Sequence, residues 1–546
     1  MKNNQIIFTL READIELQLN SLVFPPEGIE SITYEENRAI VTLTHDITEV
    51  EGYAVNNIYD VESVALPESI ERISAVAFAD LHLVVRFEGP LASADGLLLV
   101  KEGTLLAYAD SFAKEITLPD TFVAIADSVF RSCSDLEKIT LPAHLEHIGA
   151  HAFDTCTYLR EVVWPDTLLT IGSLAFVRCA LQRVDLPDSV ISIGDVAFGE
   201  CTQIEHVHIG ASVSHIGEQV FGGCKALKGF SGQYATTDGH LLIQNHTVVS
   251  AVAQAEHIHI PEGVERIAPY AFYQTIVTEK VQLPSTLKEI CDNGFSYCDV
   301  DVALPEGLET IGYYAFYSNI GLKHVHLPET VRQIGDGAFG DNNVQQFSGR
   351  YATHDGTYLI QDGRLLGVAE RDWECYEIPQ GVTYIGSFVF HYLNIKARLI
   401  VPEGVTTIAR GAFHGEENTI WTSISLPSTL RTIDDYAFSH LHLQSALVLP
   451  EGLEHIGKNA FEYANLGEPL VILPSTLLTL GDYAFSKANY LQEEKPIFEF
   501  RGKTPPAITS RCVFTNYQAI RIPQEGREQY AEAHIWKDLK KITVTE

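Results

Sequence analysis

Between Leu118 and Gly210 the apolar positions of the chain recur every 22 or 23 residues. Leu118-Pro119, Leu141-Pro142, Trp164-Pro165 and Leu186-Pro187 each open a unit, and Ile209-Gly210 opens a fifth with Gly in place of Pro. Ile-Gly follows (Ile148-Gly149, Ile171-Gly172, Ile193-Gly194, Ile216-Gly217), and then a small residue and Phe (Ala152-Phe153, Ala175-Phe176, Ala197-Phe198, Val220-Phe221). A cysteine stands three residues after the Phe, and a Leu-x-x-Ile-x-Leu tail such as Leu136, Ile139 and Leu141 closes the unit. A fixed period of this length predicts a solenoid, in which each coil buries its apolar face only against its neighbours. Alternation in the tail predicts a short strand with its middle aliphatic inward and the flanking residues outward. The Ala-Phe-x-x-Cys stretch predicts a turn or short helix. Its Phe recurs from Phe78 and Phe130 to Phe461 and Phe485, which predicts an aromatic spine inside the coils.

The template Leu-Pro-x-x-Leu-x-x-Ile-Gly-x-x-Ala-Phe-x-x-Cys-x-x-Leu resembles the BspA-like branch of the leucine-rich repeat superfamily, found in bacteria and protists. The resemblance implies a β-rich α/β solenoid: a right-handed leucine-rich-repeat superhelix with a concave parallel sheet and short helical turns on the convex side. It also implies a surface protein that binds other proteins or adheres to hosts, and not an enzyme. About twenty coils with strands about 4.8 Å apart would give a sheet on the order of 90 Å long.

Extending the register sets the domain plan. Leu43 precedes Leu66 by 23 residues, and Ile47, Val50, Ala54-Val55, Ile58, Val61 and Val64 fall at template positions, so a degenerate coil starts at Leu43. Residues 1–42, with alternating Ile15, Leu17 and Leu19, read as strands that cap the first open coil. The solenoid then runs over 43–490. Residues 491–546 read as a strand-helix cap, with a last strand at Ile520-x-Ile522 and helical spacing through Tyr530, Ile535, Trp536 and Leu539. Three units, about 67–118, 210–260 and 328–378, are long and align with one another. Each holds Phe-x-Gly, then Asp-Gly (Asp95-Gly96, Asp238-Gly239, Asp355-Gly356), then a second turn (Glu102-Gly103, Asn245-His246, Asp362-Gly363). Asp-Gly before alternating apolar residues predicts a hairpin. One Asp beside one Gly offers too few oxygens for calcium. An insertion at Gly415-Glu416-Glu417-Asn418 should bulge from the convex side.

Charge narrows the partners. Seventy-two acidic against 37 basic residues give a net −35, which opposes nucleic acid and bare anionic membrane. The apolar patch Ile6-Ile7-Phe8 is closed off by Arg11 and Glu12, too soon for a membrane span or a signal-peptide core. The chain is therefore expected in the cytoplasm if Met1 is the native start, and at the cell surface or outside it by the family resemblance. Five of the nine cysteines (Cys133, Cys156, Cys179, Cys201, Cys224) keep the repeat period and should stack as buried ladder residues. The spacing leaves a disulfide between neighbouring coils open.

Candidate chemistry is sparse. No phosphate-cradling Gly-x4-Gly-Lys-Ser/Thr, nucleophile elbow or His-Glu-x-x-His occurs, and no cofactor is expected. Three His-x-His pairs, His206/His208, His257/His259 and His324/His326, flank an inward aliphatic and should point outward from the concave sheet. Two imidazoles on one strand could hold a metal weakly, but a catalytic site needs a third ligand, so the pairs read as a solvated stripe available to a partner. Early outward positions are polar apart from Val163: Glu115/Thr117, Lys138/Thr140, Glu161/Val163, Arg183/Asp185, His206/His208. Late ones read Arg398/Ile400, Ser423/Ser425, Ala446/Val448 and Leu470/Ile472. A contiguous exposed patch of Ile400, Val448, Leu470 and Ile472 would mark a binding or self-association surface, whereas a one-residue register shift, or the C-terminal region folded over this face, would make them core. The expected function is a non-enzymatic scaffold for a protein ligand on the concave sheet. A carbohydrate-binding surface protein is the alternative, although it would usually show aromatic platforms at the outward positions.

Overall fold

The computed structural model describes residues 2–19, 23, 26–50, 61–73, 86–109, 112–391, 393, 395–415, 419–489, 494–539 and 541–545. Phe78, the positions Ala54-Val55 and Ile58, and most of the insertion at 415–418 lie outside the described residues. The chain forms two compact units, Met1–Ala255 and Glu256–Glu546. Both are β-solenoids of stacked parallel strands.

In the first unit each coil contributes to three ladders. The Leu-x-x-Ile-x-Leu tails form the first: Glu115–Thr117, Lys138–Thr140 and Glu161–Val163 pair in parallel, as do Arg183–Asp185, His206–Ile209 and Gly229–Gly232. The residues before each Ile-Gly form a second parallel ladder, Ala124–Ile125, His147–Ile148, Thr170–Ile171, Ser192–Ile193 and His215–Ile216. Its glycines are required by close approach. A Cβ on Gly194 would stand 2.4 Å from the Ser173 backbone nitrogen, and one on Gly172 would stand 2.5 Å from that of Ala150.

At Ala-Phe-x-x-Cys the chain forms turns rather than short helices, and these turns build the third ladder. Alternate N–H groups there donate to the next coil: Ser128 to Ala150, Phe130 to Ala152, and Ser132 to Asp154. The first and last of these donors are left-handed, with φ of 64° and 61°. The same pair of left-handed positions recurs at His151/Thr155, Leu174/Arg178 and Val196/Glu200. Two left-handed residues four apart break any helical run and aim the N–H groups along the stack, so inter-coil bonds win over intra-segment ones.

Phenylalanine fills the space between the ladders. Rings of Phe130, Phe153, Phe176, Phe198 and Phe221 stack at 4.8–5.6 Å, within 12° of parallel. The second unit repeats this from Phe272 to Phe339 and from Phe390 through Phe485 to Phe514. The second and third long units interrupt the stack: Phe221 meets Phe230 at 57°, and Phe339 meets Phe347 at 78°. In all three long units the chain reverses at Asp-Gly, closed by the antiparallel bridges Ala92–Leu99, Ala235–Leu242 and Ala352–Leu359, and again at the second turn, where the longer hairpin forms. Leu98–Lys101 pairs with Thr104–Tyr108, Leu241–Gln244 with Thr247–Ala251, and Tyr358–Gln361 with Arg364–Val368. The Asp-Gly aspartates brace a turn: Asp355 accepts from the Thr353 hydroxyl (2.6 Å) and the Thr357 N–H (3.1 Å).

The ends differ from the simplest reading of the sequence. Gln5–Leu10, Ile29–Glu35 and Arg38–Leu43 form an antiparallel sheet, and Val61–Ala65 joins its edge. Ile15 and Leu17 lie outside any strand, yet Leu17 is buried. At the other end Ala519–Pro523 is followed by one more parallel strand, Ile542–Thr545. The helical spacing resolves into a short helix, Arg527–Glu532, and a 3-10 turn, Trp536–Asp538, separated by left-handed Ile535 (φ 72°). Buried Trp536 donates its indole N–H to Pro506 O at 2.8 Å and anchors this segment.

Candidate interaction face

The tail strands put alternate side chains at the surface, as the pleat requires. In the first unit Ile116, Ile139, Val162 and Val184 are buried, while Glu115, Thr117, Glu161 and Arg183 are exposed. Charges pair across coils or along a strand: Lys138 with Glu161 at 2.7 Å, Lys228 with Glu205 at 3.0 Å, and Arg183 with Asp185. Such exposed pairs add little stability, about 0–1 kcal/mol each, and define a wetted face.

The histidine pairs fall on this face in two settings. His206 and His208 flank buried Val207; His208 Nδ1 lies 3.0 Å from the Ser231 hydroxyl on the next strand. His324 and His326 flank Val325 in the second unit; His326 Nδ1 lies 3.0 Å from the Ser348 hydroxyl. Each of these two pairs thus sits on the strand before a hairpin unit, against its Phe-Ser-Gly. His257 and His259 are exposed on either side of Ile258, and His259 bridges to Gln282. Among the described residues no three His, Cys, Asp or Glu side chains are grouped to hold a metal ion.

The late aliphatics are outward-facing. Val448 is 71% exposed and Leu470 41%, while their neighbours Leu447, Leu449, Val471 and Leu473 are buried. Ile472 and Ile400 are half-buried. Leu470 shares a strand with Ile472 and pairs with Ile497, so the apolar surface extends one coil beyond the positions singled out from sequence. Ile400, in contrast, lies between Glu377 and Ser425 and is separated from the others by a polar coil. Arg521 and Glu499, 3.5 Å apart, close the far side of the patch.

The cysteines have a role that spacing alone did not reveal. The thiols of Cys156, Cys179, Cys201 and Cys224 each donate to the carbonyl of the spine Phe one coil back, at 3.0–3.2 Å. All nine cysteines are free thiols. Burial pushes the Cys201 and Cys298 thiols up to about 12, so they are neither nucleophiles nor ligands. In the second unit Asn342 takes the Cys position and donates to Phe316 O at 2.9 Å.

Among the described residues no helix is long and apolar enough to cross a membrane. No curated protein sequence matches the chain significantly. Solved structures similar to it include a leucine rich cell surface protein from Faecalibacterium prausnitzii A2-165 (20% identity, 62% of this chain and 95% of that one, TM-score 0.38). A leucine-rich repeat protein from Bacteroides ovatus is 18% identical over 82% and 91% of the two chains, with a TM-score of 0.34. The pneumococcal vaccine antigen PcpA is 15% identical over 94% and 86%, with a TM-score of 0.34. The family model described as BspA type Leucine rich repeat region (6 copies) matches residues 17–88, 107–237, 248–353 and 371–492. That match spans most of the chain, and the protein belongs to the BspA-type leucine-rich repeat family.

Proposed function

We propose that the chain is a non-enzymatic scaffold that binds a protein ligand through the outward face of its tail strands, as a surface adhesion protein would. On this reading the coils wind right-handed with that face concave, residues 1–42 and 491–546 cap the two ends, and 43–490 is the binding solenoid. The observation that carries it is the exposure of Val448 (71%) and of Leu470 (41%), the latter on one strand with half-buried Ile472, where most outward positions are polar or ion-paired. Apolar side chains held outward cost solubility, and monomers rarely expose a large patch of them without a use. The histidine pairs offer hydrogen-bonding positions on the outward side of their own strands.

Immobilised intact chain, exposed side by side to a host-matrix extract and a bacterial lysate, tests the proposal. Specific retention of a protein that a Val448→Lys/Ile472→Lys bait fails to retain supports it. Retention of glycan alone, or of the same proteins on both baits, sinks it.

A further inference from the structure

A second feature lies beside the third hairpin. A cleft of about 730 Å³ opens between the Asp355 turn and the following segment, with Tyr358, Asp372, Trp373, Glu374 and Glu377 in its lining. Trp373 is 38% exposed and tilts against buried Tyr376 at 5.6 Å, so its ring is held in place while part of it faces solvent. Among the described residues no ion pair engages Asp372 or Glu374. Arg398 on the next strand bonds Cys375 Sγ at 3.4 Å and bears on Glu377, and Arg371 directs its guanidinium to the carbonyls of Gln345, Asp355 and Gly356 rather than to Asp372 or Glu374.

Tyr358 supplies an independent sign of a ligand. Its side chain is 3% exposed and its hydroxyl has no hydrogen-bond partner. A buried unsatisfied hydroxyl costs about 1–3 kcal/mol. Folding does not require it, because the two sister hairpins carry Leu98 and Leu241 at the same place, both buried. The third hairpin alone has exchanged an aliphatic for a phenol at the wall of a cleft, and alone is followed by a tryptophan. An indole face, two carboxylates and an unpartnered hydroxyl acceptor together match a planar cation with several N–H donors.

We propose that this cleft receives an arginine side chain of the partner protein, its guanidinium stacked on Trp373, flanked by Asp372 and Glu374, and donating to the Tyr358 hydroxyl. Guanidinium is preferred to ammonium because it is planar, weakly hydrated and stacks on indole. The proposal rests on the reading of the chain as a protein-binding scaffold and adds the chemistry of one contact.

The test uses the intact chain and a capped hexa-arginine peptide, followed by calorimetry and tryptophan fluorescence at about 150 mM salt, where long-range attraction to the acidic surface is screened. Saturable binding is expected. Trp373→Leu, which leaves the charge unchanged, should weaken it about five-fold or more. Tyr358→Phe should weaken it about three-fold, and Asp372→Asn/Glu374→Gln at least as much as Trp373→Leu. Removing two distant exposed acids, Glu279→Gln/Glu329→Gln, should change it less than two-fold, about the most that screened surface charge supplies. Wild-type binding by folded Trp373→Leu, or an equal loss in the distant pair, would show only bulk electrostatics and overturn the proposal. Val448→Lys/Ile472→Lys should bind the peptide as wild type does, so the cleft and the apolar patch stand or fall separately.

Discussion

The Cys201 thiol sits 3.0 Å from the carbonyl oxygen of Phe176, the spine residue of the preceding coil. One contact thus ties a coil to its neighbour at the point where the aromatic stack passes through. The native protein at pH 8 should therefore leave Cys201 and Cys298 unlabelled by a thiol reagent, because burial holds both near 12. Half-buried Cys375 and Cys512 should react first. Fast native-state labelling of Cys201, read by peptide mass spectrometry, contradicts this. Cys201→Ala should cost about 1–3 kcal/mol through the orphaned carbonyl, and Cys201→Asn less, since Asn342 already fills that role.

Phe198 is fully buried between Phe176 and Phe221. Phe198→Ala should cost about 3–5 kcal/mol, and in a nearest-neighbour stack the loss stays close to the cavity. Hydrogen exchange should accelerate over about residues 170–230. A uniform rise along the whole chain would mean the coils are not independent.

Gly194 lies where a Cβ would overlap the preceding coil's backbone, 2.4 Å from Ser173 N. Gly194→Ala must separate two coils along the second ladder and should destabilise by more than the about 1–3 kcal/mol of ordinary overpacking. Gly263→Ala is the comparison: nothing lies within 4 Å of its Cβ, so only its left-handed φ of +95° resists substitution. Equal melting temperatures for Gly194→Ala and wild type would remove the close-approach argument.

His414 lies among the rings of His391 and His440, 4.9 and 5.3 Å away. Burial first, and then those two histidines, hold it down at about 4 against an ordinary 6.5. Its folded form binds a proton less readily than the unfolded chain, so its contribution is complete above 6.5 and is lost as pH falls towards 4. The melting temperature of wild type should fall more steeply through that window than that of His414→Phe. Parallel slopes would show that His414 does not titrate as its surroundings dictate.

The period in the Leu-Pro, Ile-Gly and Ala-Phe positions was enough to read the solenoid, its inward strand residues and its spine. Each of these is an apolar side chain that recurs in place, and burial leaves a direct mark on sequence. The second and third ladders were not legible because backbone hydrogen bonds carry them. Val196 and Leu174 adopt left-handed φ although neither residue type announces it. A hint lay in Gly337 and Gly411, which take the same position in other coils. Asp-Gly does mark a chain reversal, braced in the third unit by the Asp355 side chain, but the longer hairpin closes at the second turn, which carries a weaker local signal. In the candidate face, alternation identified Val448, Leu470 and Ile472 as outward. The same alternation places Ser423 and Ser425 between Ile400 and Val448; it could not show that the Tyr358 hydroxyl lacks a partner.

The central claim is that Val448, Leu470 and Ile472 form a binding surface rather than displaced core. It is tested most directly by Val448→Lys/Ile472→Lys in the intact chain, measured for melting temperature, for sedimentation and for quantitative retention of partner from both extracts. The account predicts an unchanged melting temperature with loss of partner retention or of self-association. A large fall in melting temperature, or undiminished association in the folded variant, would contradict it.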